Sequence, residues 1–495
     1  MSLIRKFAGQ AVVYGIGSIL SKIVYYLIVV VLLTHMLGDQ TEEFGIYGYL
    51  YAYAGLLLSL FSFRLDSALF RFGNKNEGEQ MSQALGTSFF AVLVSAVVLV
   101  IIGVFCSSAI SDWYGYPMTP RYVRWFAFIL AFDVMNLIPF AQLRLDDKAL
   151  KFAGFRIFNV VLSTTLILFF LVALPRLPED SLGFLSRSRS IIDWVFIANL
   201  IASGVLFLLL LPELLRHKFS FNTKLFRKMV RYALPLVIVG VAGGFIQFFA
   251  VPLQEMFLGG SEQDNLAEAG VYDLTRKIAG LFLMFVTAFN YAAEPFFFNN
   301  SNVSDREQYY GKICRLFVLT GGLVVIGMFY AVDLLKHLST SDYWDSLSLL
   351  PILLMSYLLL GIYYNVSIWY KLSDNTKYGA IISIVGVIIT LAISVVFLSR
   401  IGYAASAWAS LASYFVMVIL GYAIGQKIYP IRYPIAKIAR DLIIISVLLV
   451  IGVLIRTHTP DPLKYVANII LLLVYVAYAY TSEREEWQKV LRRSA

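Results

Sequence analysis

Fourteen apolar runs, each long enough to cross a bilayer, punctuate the sequence at 11–33, 44–63, 83–106, 122–141, 152–174, 191–215, 230–253, 268–292, 311–333, 347–370, 377–398, 403–426, 438–456 and 465–481. A hydrocarbon layer about 30 Å thick needs about 20 apolar residues in a helix rising 1.5 Å per residue. In lipid a helix satisfies all of its own backbone hydrogen bonds. The runs therefore predict an all-α membrane protein with about 14 transmembrane helices. Composition agrees, since 59% of the 495 residues are hydrophobic and only 14% charged, against about 25% charged in soluble domains. Little chain is left for a soluble domain.

Several function classes drop out. The net charge of +9 comes from short Lys/Arg clusters between apolar runs, not from one contiguous basic face, so no nucleic-acid partner is expected. The chain has no GxxxxGK[ST] phosphate loop, and His35, His217, His337 and His458 show no HExxH or other metal spacing. Cys106 and Cys314 fall near opposite membrane faces, which precludes their pairing. No cofactor or metal is expected, apart from a proton or sodium ion as a candidate driving ion. The opening residues Met1–Phe7 and the run 11–33 superficially resemble a signal peptide. The run is too long, contains Lys22 and lacks a small-x-small cleavage site, so it reads as the first spanning helix.

An even number of spans puts both termini on one side. Segments on that side carry 28 Lys/Arg and the opposite loops 9, which places the termini in the cytoplasm. All seven tryptophans lie near span ends, where an interfacial belt is expected. No gap between the runs exceeds about 20 residues, and the tail from Thr481 reads as a short surface helix.

The sequence also repeats itself. EFGIYGYLYAYAGLLLSL (Glu43–Leu60) aligns without gaps on EAGVYDLTRKIAGLFLMF (Glu268–Phe285), with Glu, Gly, Tyr, Ala, Gly, Leu and Leu recurring. Six helices separate the copies, so both run in the same direction. This predicts two parallel-repeat six-helix lobes plus a C-terminal helix pair, an arrangement that puts substrate sites between lobes. The expected segments are 1–219, 220–426 and 427–495.

Charges inside spans are expensive, at about 2.5–3.5 kcal/mol each on insertion scales. Lys22 lies well inside span 1, with Tyr14, Ser18, Ser21 and Tyr25 at helical spacing on its face. It reads as part of a cavity wall, or as helix glue paired with Asp133. In span 8, Asp273, Arg276 and Lys277 lie one turn apart, with Gly280, Thr287 and Tyr291 beyond them. Asp273 can neutralise one of the two cations. That group is either an anion site or a self-contained ion pair near the outer interface. The equivalent positions in span 2 are Gly48, Tyr51 and Ala52, so the packing of the repeat does not demand the charge, which favours function. Asp133, near Asn136 and Pro139 in span 4, is a candidate proton or sodium coupling site or helix glue. Arg64, Asp66 and Arg71 end span 2 near the cytoplasm, as Glu294 ends span 8. Tyrosines 47, 49, 51 and 53 form either an aromatic belt or a sugar-contacting wall. Gly240-x-x-x-Gly244 with Pro235 allows close packing or a bend in span 7.

The string LLTHMLGDQTEEFGIYGYL, followed by LDSALFRF, resembles the span 1–2 signature of the polysaccharide and O-antigen flippases, and AGVYDLTRKIAGLFLMFVTAFNYAAEPFFF resembles their span 8. These proteins belong to the superfamily of multidrug, lipid-linked oligosaccharide and polysaccharide exporters. The resemblance implies a non-enzymatic flippase of a bacterial cytoplasmic (inner) membrane. It would translocate a polyprenyl-pyrophosphate-linked oligosaccharide by alternating access, as a monomer working with glycosyltransferases and a polymerase. It further implies a cationic cavity to which Lys22, Arg276 and Lys277 contribute, with Tyr25 and Tyr51 near the cargo and Asp133 and Asp273 as coupling candidates. The lipid II flippases carry an arginine-aspartate pair in span 1, whereas here Lys22 precedes Ile23, so a peptidoglycan precursor is the less expected cargo. Two rivals are a cation-coupled multidrug exporter of the same superfamily, disfavoured by the extra pair 438–481, and a membrane glycosyltransferase or O-antigen polymerase using Asp39, Glu42 or Glu43. The short loops disfavour the second.

The charge bias yields a direct test. Reporter fusions at residue 222 and at the C-terminus should give cytoplasmic signals, and periplasmic activity at either position would refute the topology.

Overall fold

The structure, a computed structural model, describes residues 50, 53–73, 78–114, 118–176, 190–216, 220–260, 262–299, 306–335 and 341–482. Every regular element among these residues is helical. Among the described residues twelve helices are long and apolar enough to span a membrane, and a bent pair, taken as one span, makes a thirteenth. The run at 11–33 lies outside the described residues.

The bent pair is α1 (Tyr53–Phe61) and α2 (Leu65–Phe72), which meet at 43°. The spans that follow are α3 (Gly78–Phe105), α4 (Pro120–Leu145), α5 (Ala149–Leu168), α6 (Ile191–Leu215), α7 (Thr223–Phe248), α8 (Glu262–Asn299), α9 (Arg306–Tyr330), α10 (Leu350–Val366), α11 (Lys377–Ile401), α12 (Ala404–Ile428), α13 (Ile435–His458) and α14 (Leu463–Ser482). The twelve later runs read from hydropathy are therefore all present. Their ends move because helices continue into polar interface where hydropathy falls. At 38 residues, α8 is about 57 Å long, well beyond the apolar thickness.

The described residues divide into two compact units, one up to Val241 and the other from Ala242 onward. In the first, α4 is the central helix, packed against α3 and α6; in the second, α10 is central, packed against α8, α9 and α12. Each is the fourth span of its sixfold set, as a parallel repeat requires. Gly55 and Gly280, equivalent in the repeat, both leave open space where a Cβ would stand.

Span 2 breaks for a local reason. Phe63 and Arg64 take φ of 48° and 50°, a left-handed conformation that no helix tolerates. Side chains satisfy polar groups at the break: the Ser62 hydroxyl accepts from the Arg64 amide at 3.2 Å, and the Ser95 hydroxyl of α3 donates to the Phe61 carbonyl at 2.6 Å. Hydropathy alone carries no sign of the break.

The interfacial tryptophan expectation holds only in part. Trp113 and Trp408 are exposed. Trp194 instead stacks on Phe170 at 4.7 Å, and the indole of buried Trp369 donates to the Gly421 carbonyl at 2.9 Å. Proximity to a span end does not say which way a ring faces.

The C-terminal pair is bolted to α9. Arg315 and Asp441, both buried, form an ion pair at 3.2 Å, and Tyr478 donates to the other Asp441 oxygen. Tyr475 donates to the Leu319 carbonyl at 3.0 Å and Tyr330 to the Leu448 carbonyl at 2.9 Å. Gly322 permits this approach, because a Cβ there would overlap the Tyr475 hydroxyl and Ile445. At the far end Asp333 holds Lys464 at 3.1 Å and Arg456 at 3.6 Å. Asp441→Ala should destabilise the protein by about 3–5 kcal/mol, because it leaves Arg315 buried without its carboxylate. The apolar double variant Arg315→Met/Asp441→Leu should recover most of that loss. Thermal unfolding in detergent reads both.

Candidate functional site

Three ionised side chains lie together on α8. The Asp273 carboxylate accepts from Arg276 Nε at 2.8 Å and from Lys277 Nζ at 3.0 Å. One carboxylate against two cations leaves a local excess of one positive charge. The i,i+3 and i,i+4 spacing puts all three on one face. Arg276 does not reach out of the protein: its side chain is 18% exposed, against 49% for Lys277. The Arg276 guanidinium lies 5.6 Å from the Phe248 ring centroid, and Tyr357 of α10 and buried Tyr272 are within its electrostatic reach. Tyr414 of α12 is buried beside Tyr357. The backbone here is pinned: Thr275 and Ser346 share a hydrogen bond of 2.6 Å, and Ser346 also donates to the Val271 carbonyl at 2.7 Å.

This surround of tyrosines was not legible in the sequence, because Tyr357 and Tyr414 come from helices far along the chain. Periodicity found the charges. It could not find their neighbours.

Asp133 belongs to a separate polar group inside the first unit. The Ser203 hydroxyl of α6 donates to its carboxylate at 2.9 Å, and the Asn136 amide approaches the Ser203 carbonyl at 3.5 Å. Arg156 of α5 is within electrostatic reach of Asp133, with its guanidinium 4.2 Å from the Phe140 ring centroid. Arg156 Nε, Asn136 Oδ1 and Asn159 Oδ1 are buried without a hydrogen-bond partner among the described residues. Such a group can hold an ion or a proton, since buried polar atoms left over after internal pairing are costly unless something fills them. Sequence reading counted Arg156 with the cytoplasmic end of span 5 and passed over it. The signal was available in Arg156, Asn159 and Ser163, spaced i, i+3 and i+7 on one face of α5.

The remaining charges have structural partners or settings. Glu294 pairs with Lys371 at 2.7 Å, joining α8 to the short helix Ile368–Leu372. Asp66 is buried just after the break in span 2, and the guanidinium of buried Arg144 lies 4.8 Å from the Phe70 ring centroid. Lys22, Tyr25 and Tyr51 lie outside the described residues, as do Asp39, Glu42 and Glu43.

The sequence matches the family model described as "polysaccharide biosynthesis protein" over residues 8–301, more than half of the chain. No curated protein sequence matches it. Among the solved structures that share its fold are three transporters. A multidrug resistance MATE family transporter of the MOP superfamily, in an outward-facing conformation, superposes with a TM-score of 0.70 at 14% identity, covering 88% of this chain and 96% of its own. A MOP superfamily transporter from Pyrococcus furiosus, with a binding pocket of reverse polarity, gives 0.70 at 15% identity over 85% and 95%. A MATE transporter from Vibrio cholerae gives 0.70 at 15% identity over 86% and 97%. At these identities the likeness is one of fold.

Proposed function

The chain belongs to the polysaccharide biosynthesis protein family, and from that membership we propose that it is a flippase for a polyprenyl-pyrophosphate-linked oligosaccharide. The cargo crosses a bacterial cytoplasmic membrane by alternating access, with the prenyl tail in lipid. The termini are cytoplasmic, and the protein acts as a monomer that takes cargo from glycosyltransferases and delivers it to a polymerase.

One observation carries this reading. Glu294 and Asp193 pair with cations on a different helix, and Asp441 reaches across to Arg315. Asp273 pairs with two cations on its own helix. Such a triad joins no second helix by its ion pairs and leaves a positive excess. A phosphate oxygen 4 Å from one such cation gains about 4 kcal/mol at an effective dielectric of 20. Lys22, with Tyr25 and Tyr51, completes the cargo contacts in this proposal. An excess of positive charge also argues against a cationic drug as cargo. The Pyrococcus furiosus transporter, with its pocket of reverse polarity, is a precedent for a different function in the same fold.

Complementation of a surface-glycan export defect tests the cargo site, with membrane levels followed by immunoblot. Arg276→Lys should lose export partly, because it keeps the charge but removes the planar fork that engages phosphate bidentately. Arg276→Ala/Lys277→Ala should lose nearly all of it, and Lys22→Ala an intermediate share. Normal export from a well-expressed Asp273→Ala/Arg276→Ala/Lys277→Ala protein would remove these residues from the site.

Asp133, with Asp273 as second candidate, carries the coupling ion, proton or sodium. Its single hydroxyl donor and nearby unpartnered amide oxygens support that role. Asp133→Asn should abolish gradient-dependent transport at normal membrane levels. Transport like that of the wild type would return Asp133 to helix packing.

A further inference from the structure

The first three turns of α7 carry four cations, Lys224, Arg227, Lys228 and Arg231, all exposed. Their spacing of i, i+3, i+4 and i+7 collects them on one face. None forms an ion pair with any described carboxylate. The same face then turns apolar without changing direction: Leu234, Ile238 and Val241 continue it and are themselves exposed. A surface that passes from cations to exposed aliphatic side chains along one helix matches a phospholipid, headgroup first and acyl chains after. We propose that this face of α7 is a binding site for an anionic phospholipid of the bilayer, its phosphate seated on the four cations.

Orientation of the span during insertion calls for positive charge near its cytoplasmic end, but it calls for no register. Four cations scattered around the helix, or balanced by neighbouring carboxylates, would serve as well. Here they are aligned, and no described carboxylate balances them.

The site is also held in place. Asn222 caps α7, its side-chain oxygen accepting from the Leu225 amide at 3.1 Å. The Asn222 backbone amide donates to the Thr87 hydroxyl at 3.2 Å and its side-chain amide to Gln83 at 3.4 Å, which fixes the start of α7 on α3. Beside this anchor Phe221 packs against Phe90 at 5.3 Å and Phe226 at 5.6 Å. Phe90 and Phe221 remain exposed, as apolar anchors at headgroup depth would be. The cations are therefore presented by a fixed helix end, so a headgroup meets them with little ordering of backbone. A basic residue near a membrane surface contributes roughly fivefold to affinity for anionic lipid, so removing four should weaken binding well over tenfold.

The test uses the full-length protein in detergent, titrated with phosphatidylglycerol, cardiolipin or phosphatidylcholine and read by native mass spectrometry. The wild type should retain the two anionic lipids and not phosphatidylcholine. Lys224→Gln/Arg227→Gln/Lys228→Gln/Arg231→Gln should bind them more than tenfold more weakly, with its thermal midpoint in lipid-free detergent unchanged. A variant exchanging Lys and Arg at the four positions should bind like the wild type. If the quadruple variant fails to accumulate, the pairs Lys224→Gln/Lys228→Gln and Arg227→Gln/Arg231→Gln should each show part of the loss. Retention of anionic lipid by the neutral variants within twofold of the wild type would overturn the proposal. So would equal retention of phosphatidylcholine, or preferential retention of a prenyl diphosphate, which would make the face a cargo contact instead.

Discussion

An ionised side chain in a hydrocarbon layer must find a partner, reach water or face a polar interior, and the charged residues of this protein sort by which of these they do. Arg315 with Asp441, Lys371 with Glu294 and Lys151 with Glu213 bind one helix to another. Lys224, Arg227, Lys228 and Arg231 stay exposed at a helix end. The triad of α8 does neither. Its carboxylate is spent on its own helix, its arginine lies 5.6 Å from the Phe248 ring centroid, and its charge does not cancel. That arrangement sets the triad apart from the ion pairs that join one helix to another.

Most of the scaffold was legible from hydropathy, because a spanning helix needs only length and apolarity, both local properties. The repeat was legible too, through positions such as Gly55 and Gly280 that recur without a gap. Partnership was not legible. Nothing in the neighbourhood of Asp133 points to Ser203, seventy residues on, and nothing near Trp369 says that its indole serves the Gly421 carbonyl. These contacts are set by which helices pack together, which no window of the sequence contains. Arg156 was missed for a different reason. It sits close to the start of its span, and the positive-inside count absorbed it.

The two copies of the repeat have also diverged in backbone. Span 2 breaks after Ser62, where two residues turn left-handed and Ser62 caps the break. The equivalent stretch of α8 is unbroken helix, and Thr287, matched to Ser62, returns its hydroxyl to the Leu283 carbonyl within the helix at 2.8 Å. A hydroxyl at one position of the repeat thus serves a break in one lobe and an intact helix in the other. The break is accompanied by a buried acid, Asp66. The unbroken copy carries the cationic triad. The repeat supplied a common frame, and the charges were distributed over it unequally.

The central claim is that Arg276 and Lys277 receive the diphosphate of the cargo. Equilibrium binding tests it most directly, comparing a prenyl-diphosphate-linked oligosaccharide with one of the same chain joined through a neutral linkage, on purified protein in nanodiscs. The wild type should prefer the diphosphate by at least tenfold, and Arg276→Ala/Lys277→Ala should show no preference. An undiminished preference in that double variant would contradict the account and place the phosphate elsewhere in the protein.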